Sequence, residues 1–263
     1  MKLKVLTCSI LMAVSATAAA EDKAKKPKKV WDVTSEVGAI ITSGNTETTT
    51  LKGGIKAKHN LTNWHNEYKL DGFFKEDKRE NDAGESVTER TNEKYSASVQ
   101  GNYKLNDDNS HLFVFGSYVS DYFGAYRSEA VASVGYGQQL FANDDMFLDA
   151  EIGPGVKRFE HQEDSTELDE NGNLLAGTSE SEFIGVAKLN YQWQISDNAR
   201  FTQLVAVEYG DTNTKTTSES ALLTKINGSL QMKVAYNLIH NSDVAEGKEN
   251  TDTETSLTLV YSF

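Results

Sequence analysis

The sequence predicts an all-β fold, a closed antiparallel transmembrane β-barrel of about twelve strands, and three observations lead there. Apolar and polar residues alternate with period two from Trp31 onward, with no convincing amphipathic helix between. Tight turns and longer connections alternate along the chain. The sequence closes on "TETSLTLVYSF", with Leu257, Leu259, Tyr261 and Phe263 at every second position. An aromatic final strand is a poor end for a water-soluble chain, whose ends are usually polar and frayed. It is also out of keeping with 25% charged residues and a mean hydropathy of −0.52.

The elements follow in order. Lys2 and Lys4, a mostly apolar run from Val5 to Val14, and a small-residue site ending at Ala20 read as a secretory signal peptide over 1–20, cleaved after Ala20. Membrane anchoring by this run would need ~20 apolar residues; Thr7, Ser9 and Ser15 interrupt it. Cys8 is the only cysteine, so the exported chain carries no disulfide, thiolate ligand or thiol nucleophile. Export without disulfides suits a Gram-negative envelope protein. Residues 21–30 form a basic periplasmic linker containing Pro27. It is read as a tail, with weak attraction to anionic headgroups as the sharper alternative.

From Trp31 to Phe263 the barrel strands are read at roughly 31–42, 46–61, 64–77, 88–105, 110–121, 125–141, 145–159, 180–195, 199–210, 217–226, 229–240 and 252–263. Short turns are expected at Thr62-Asn63, Asn106 to Asn109, Ala142 to Asp144, Ser196 to Asn198 and Asn227-Gly228, the last as a type I′ hairpin. Longer loops are expected at Lys78 to Val87, His161 to Ser179, Asp211 to Thr216 and Asn241 to Thr251. Short periplasmic turns and longer extracellular loops are how an outer-membrane barrel is built. Gly153-Pro154-Gly155 reads as a bulge or bend, because proline donates no ladder hydrogen bond.

Alternation assigns faces. Trp64, Tyr68, Leu70 and Phe74 share one face, opposite His65, Glu67, Lys69 and Asp71. Phe183, Ala187, Leu189, Tyr191, Trp193 and Ile195 oppose Glu182, Lys188, Asn190 and Gln192. A soluble periplasmic β-protein would use the same pattern with its apolar face inward, and that alternative stays open at this point. The three tryptophans favour a membrane: Trp31, Trp64 and Trp193 all fall at the short-turn end, the level of an interfacial aromatic belt. The facing of 110–121 and of 199–210 is not fixed by the pattern. "HLFVFGSYV" is apolar on both faces, and Gln203 falls among Phe201, Val205 and Val207.

Several ordered segments resemble the YdiY-like salt-induced outer membrane protein family, a domain of unknown function. They are "SGNTETTTLKGG" (Ser43–Gly54), "LDAEIGPGVKR" (Leu148–Arg158), "VEYGDTN" (Val207–Asn213) and the stretch from Asn241 to Phe263. The resemblance implies an outer-membrane barrel of unestablished activity, with a link to salt response in the family's name only. Ser256, Tyr261 and Phe263 also resemble the C-terminal signal of outer-membrane barrels, with Thr258 where glycine is usual. That resemblance implies recognition of the last strand by the barrel-assembly machinery.

Function classes narrow accordingly. Loss of Lys2 and Lys4 takes the formal charge from −13 to about −15, which argues against a nucleic-acid partner. No catalytic, cofactor or metal set is predicted. The one enzymatic alternative is a lipid-active hydrolase using His240 and Ser242, whose spacing resembles the catalytic His and Ser of outer-membrane phospholipase A. Residues i and i+2 of a strand stand ~6–7 Å apart, so direct contact would need local bending. His59 and His65 flank a turn and are weighed as a metal pair, without a third ligand.

The loop 160–182 carries eight carboxylates and no Lys or Arg. Asp169, Asn171 and Asn173 alternate there as in a calcium loop, but Gly172 is misplaced for one, so a solvated acidic loop is read first. Weak divalent-cation contact, shared with lipopolysaccharide phosphates, is the alternative. The expected interior is charged with both signs: Asp32, Glu36, Lys52, Lys56, Glu67, Lys69, Asp71, Lys94, Arg127, Glu129, Glu151, Lys188, Lys225, Lys233 and Glu254. Such groups must be paired or wet. The expected protein is therefore a monomeric, porin-like envelope barrel among outer-membrane lipids and lipopolysaccharide. It is either a narrow channel or a closed, ion-interacting structural barrel.

Overall fold

In the computed structural model, residues 30–42, 47–80, 85–105, 109–166, 168, 171–244 and 249–263 are described. The expected signal peptide and most of the basic linker (21–29), together with Ser43–Thr46 of the first family-like segment, lie outside them.

Twelve antiparallel strands close into one barrel, each paired with its sequence neighbours and β1 with β12. They are β1 Trp31–Thr42, β2 Glu47–Asn60, β3 Trp64–Glu80, β4 Ser86–Lys104, β5 Ser110–Asp121, β6 Tyr126–Ala142, β7 Met146–His161, β8 Ser179–Ser196, β9 Ala199–Gly210, β10 Thr214–Lys225, β11 Leu230–Asn241 and β12 Thr251–Ser262. Closure satisfies the two strand edges that an open sheet would leave bare. The seam is short: β1 meets β12 over Thr34–Val37, whereas β1 meets β2 along its whole length.

Alternation turns one face outward. Leu70, Ile152, Val156, Phe183, Leu189, Met232, Val234, Leu257 and Leu259 are exposed on the outer wall. Their strand neighbours Asp71, Glu151, Lys157, Lys188, Lys233 and Thr258 point inward and are half-buried or buried. Strand β5 is resolved the same way: Leu112, Val114 and Tyr118 face out, and Phe113 is buried in the lumen at 3% exposure. Its ring lies over a glycine pair. A Cβ on Gly135 would stand 2.7 Å from the Phe113 ring and 2.8 Å from the Gly153 Cα. In β9, Gln203 faces outward with Phe201 and Val205. It is tolerated there because its amide donates to Ser218 Oγ at 2.9 Å and accepts from Ser220 Oγ at 2.5 Å across β9–β10.

Three local expectations are corrected. Gly153–Gly155 is not a bulge: β7 keeps one register with β8 through Pro154, and only the β6 ladder skips it, so the missing N–H falls on that side. The irregularities of β6 lie instead at Tyr126/Ser128 and Gln139/Phe141. Asn227-Gly228 is not a type I′ turn, since Gly228 does not adopt a positive φ. The connection is Ile226–Ser229, closed by Asn227 Oδ1 accepting from the Ser229 and Leu230 amides at 3.0 and 2.9 Å. Both ends of the expected loop from Lys78 to Val87 are strand, because β3 and β4 stay paired to Glu80 and Ser86, and residues 81–84 lie outside the described residues. Both chain ends of the barrel lie at the short-turn end, with β7–β8 and β11–β12 joined by the longer loops at the other.

Candidate functional site

The lumen is where the charged residues collect, and it is crossed by ion pairs. Glu129 on β6 accepts from Lys215 on β10 at 2.6 Å, although β7, β8 and β9 stand between the two strands in the wall. Lys157 on β7 lies beneath this bridge, 3.0 Å from Glu129 and 4.0 Å from Glu208. Lys157 is 1% exposed, as is Phe159, and both pack against Tyr126. Charges this deep are tolerated only because each meets an opposite charge.

A second crossing lies nearer the short-turn end. Lys188 on β8 donates to Gln100 on β4 at 3.0 Å and to Glu151 on β7 at 3.2 Å. Gln100 donates to Glu151 at 2.7 Å and to Asn102 at 2.9 Å. His111 on β5 approaches Glu151 at 3.1 Å, and Asp149 completes a group of three metal-capable side chains with them. Two crossings plus Phe113 fill the half of the lumen bounded by β4 to β10.

The opposite half is more open along β2 and β3. Lys52 reaches over β1 to Glu254 on β12 at 2.5 Å, Lys56 meets Glu67 at 2.9 Å, and Lys69 meets Asp71 at 3.3 Å. Lys233 on β11 bridges Glu36 and Glu219 at 3.2 and 3.3 Å. Glu36 also accepts from Thr258 at 2.7 Å. Lys69 keeps half of its side-chain surface open and Lys56 42%. Pairs on this wall join strands at most two apart, so they line the lumen without spanning it.

Two expected lumen residues are elsewhere. Lys225 donates to the Asp197 carbonyl at 2.6 Å and so braces the β8–β9 turn. Arg127 is taken out of the alternation by the bulge at Tyr126/Ser128; it donates to Ser120 and stacks 3.5 Å over the Tyr122 ring.

His240 and Ser242 are not brought together as a catalytic pair. His240 Nδ1 is 2.8 Å from Thr251 Oγ1. Ser242 Oγ accepts from the Thr214 amide at 2.8 Å and donates to Asn213 Oδ1 at 3.3 Å. Both are therefore engaged in holding the β11–β12 and β9–β10 loops. His59 and His65 face opposite sides of β2–β3: His59 stacks on Trp31 with ring centroids 4.0 Å apart, and His65 bonds Asn60 at 2.5 Å. They cannot share an ion. In the acidic loop 160–182, Glu167, Asp169 and Glu170 lie outside the described residues. Gly172 and Gly177 adopt positive φ, Leu168 pairs with Leu174, and Glu182 accepts from the Thr212 amide at 2.9 Å.

The grouping of His111, Asp149 and Glu151 was missed in the sequence. The i, i+2 spacing of Asp149 and Glu151 signals two carboxylates on one strand face, but nothing in it announces a histidine from β5.

Known proteins bear on these observations. "Uncharacterized protein YdiY" of Escherichia coli (strain K12) is 38% identical over 178 residues, 67% of this chain and 65% of that protein, so the match spans just under two thirds of the relative. Among solved structures, the chain is similar to the translocator domain of the autotransporter NalP from Neisseria meningitidis, with a TM-score of 0.46 and 15% identity over 88% of this chain and 86% of that one. It is also similar to the NanC porin, at TM-score 0.45 and 11% identity over 88% and 97%. The outer membrane channel DcaP of Acinetobacter baumannii gives TM-score 0.38 and 10% identity over 89% and 95%. The family described as "Protein of unknown function, DUF481" matches residues 35–263, nearly the whole barrel, and this chain belongs to that family.

Proposed function

We propose that the protein spans the bacterial outer membrane as a monomer and conducts small ions through a narrow passage beside a packed half-lumen. The observation that carries this reading is the Lys215–Glu129 bridge. It separates the closely paired residues between β4 and β10 from a more open wall along β2 and β3. The more open wall carries Lys56 and Lys69 against Glu67 and Asp71, with the Lys52–Glu254 and Glu36–Lys233–Glu219 pairs beside it. Balanced charge favours weak ion selectivity. Twelve strands lie between the side-chain-filled eight-strand barrels and the open sixteen-strand porins, which suits a passage narrower than a general porin's.

The outer wall supports the membrane placement. Trp31, Trp64, Tyr103, Trp193 and Phe263 are exposed near the short-turn end, and Tyr122, Phe123, Phe183 and Tyr209 near the other. From Phe183 to Trp193 the strand rises ~33 Å, or roughly 25 Å along the axis at ~40° tilt, the height of an apolar band between two aromatic girdles. No helix among the described residues is long and apolar enough to cross a membrane.

The surrounding partners are then outer-membrane lipids and lipopolysaccharide, with any divalent-cation contact at loop 160–182 on the outer side. The assembly machinery reads the strand ending at Phe263. Export by the leader cleaved after Ala20 belongs to the same reading.

Planar-bilayer recording on the refolded full-length barrel tests it. Steps of small conductance, rising with salt and nearly equal for K⁺ and Cl⁻, are expected. A protein that inserts and stays silent would make this a closed structural barrel.

A further inference from the structure

We infer that His111, Asp149 and Glu151 form a divalent-metal site inside the lumen, of the class that takes Zn²⁺. One ligand atom from each of the three lies within 4.8 Å of the others. Asp149 and Glu151 stand two apart on the inward face of β7, so the strand itself presents both carboxylates to one point. The histidine arrives from β5 over β6, and a glycine lets it. A Cβ on Gly137 would stand 2.2 Å from His111 Nε2, so the imidazole lies directly over that backbone and reaches β7.

The spacing suits the ion. His111 Nε2 and Glu151 Oε1 are 3.1 Å apart. Two ligands of a tetrahedral zinc with bonds of ~2.0–2.1 Å stand about 3.3 Å apart. An ion replacing the proton between these atoms therefore needs only a small spreading of the pair. Rotation of the Asp149 side chain supplies the third ligand, and water from the lumen completes the shell, as in other three-ligand zinc sites.

Charge points the same way. Two carboxylates here face one ammonium, that of Lys188, which bonds Glu151 Oε2 at 3.2 Å. Asp149 is a half-buried carboxylate that makes no hydrogen bond or ion pair among the described residues, and it feels His111 and Lys188 only through space. Lys188 and Gln100 hold the two oxygens of Glu151 from the outside and fix its orientation, the role that outer partners play at metal sites. Imidazole in the set selects zinc, copper or nickel over magnesium and calcium, which prefer oxygen alone.

The test uses the full-length barrel folded in detergent, with ZnCl₂ titrated against a chromophoric chelator. One zinc per chain is expected. Asp149→Asn should weaken binding at least ~10-fold, and His111→Ala by at least as much. His59→Ala and His240→Ala, whose rings lie on the outer wall, should leave it unchanged. Asp149→Asn is the deciding variant, since that carboxylate supports no contact that folding uses. Absence of stoichiometric zinc binding would overturn the inference. So would affinity that survives Asp149→Asn in a barrel whose heat-modifiable gel migration is normal.

Discussion

Lys215 and Glu129 are 86 residues apart in sequence and on strands four apart in the wall, yet their side chains meet at 2.6 Å across the lumen. Glu129 also holds Lys157, so one carboxylate serves two ammonium groups at the long-loop end. Removing one partner of a buried pair leaves an uncompensated charge and costs ~3–5 kcal/mol. Lys215→Met should therefore lower the urea midpoint of unfolding and, by removing the bridge, raise single-channel conductance. Lys215→Met combined with Glu129→Gln should recover part of the stability and keep the larger conductance. If conductance is unchanged in both, the bridge does not border the passage.

The glycine pair under Phe113 makes a separate claim about packing. A Cβ on Gly135 would lie 2.2 Å from the Ile152 carbonyl oxygen, and one on Gly153 2.0 Å from that of Val134. Those neighbours are backbone and cannot rotate away. Gly135→Ala should destabilise the barrel by at least the ~1–3 kcal/mol of core overpacking. Gly185→Ala, where nothing lies within 4 Å, should be close to neutral in the same unfolding series. Equal behaviour of the two variants would contradict the close approach of β6 and β7.

Much of this barrel was legible as alternation, because a strand with one apolar and one polar face writes its facing into every second residue. The twelve strands follow from that together with the turn residues, and so does the shared face of Trp64, Tyr68 and Leu70; that this face is the outer one came from the closed barrel. What escaped has physical reasons. Strand β5 is apolar on both faces because Phe113 fills a space made by glycines on β6 and β7, and no local pattern records a gap two strands away. Gln203 faces outward because Ser218 and Ser220 satisfy it across the β9–β10 ladder, so polarity alone misassigns it. Arg127 left the lumen through a bulge that shifts the period by one. The lumen bridges, and the meeting of His111 with Glu151, depend on closure. A sequence read strand by strand supplies the charged residues but not their partners across the barrel.

Closure itself can be measured at the seam. Thr34 and Ser262 are direct partners at one end of the short β1–β12 ladder. Opposed strand residues have Cα spacings of ~4.5–5.5 Å, within the range a disulfide accepts. Thr34→Cys with Ser262→Cys should oxidise spontaneously, because the sequence holds one other cysteine, Cys8, outside the barrel strands. The linked form should unfold more slowly than the reduced one. Failure to form the bond in folded protein would mean that the seam is not paired in this register.

The tryptophans give the last and most direct check on membrane placement. Trp31, Trp64 and Trp193 open β1, open β3 and lie near the end of β8, all at the short-turn end and all partly exposed on the outer wall. Aromatic rings with one polar edge settle at the membrane–water interface. Three variants, each keeping one tryptophan and carrying phenylalanine at the other two positions, should be quenched to similar extents in bilayers. Lipids brominated near the headgroup should quench strongly, and lipids brominated toward the chain ends weakly. Emission that ignores both brominated lipids in all three variants would take the barrel out of the membrane and return the outer apolar wall to some other cover.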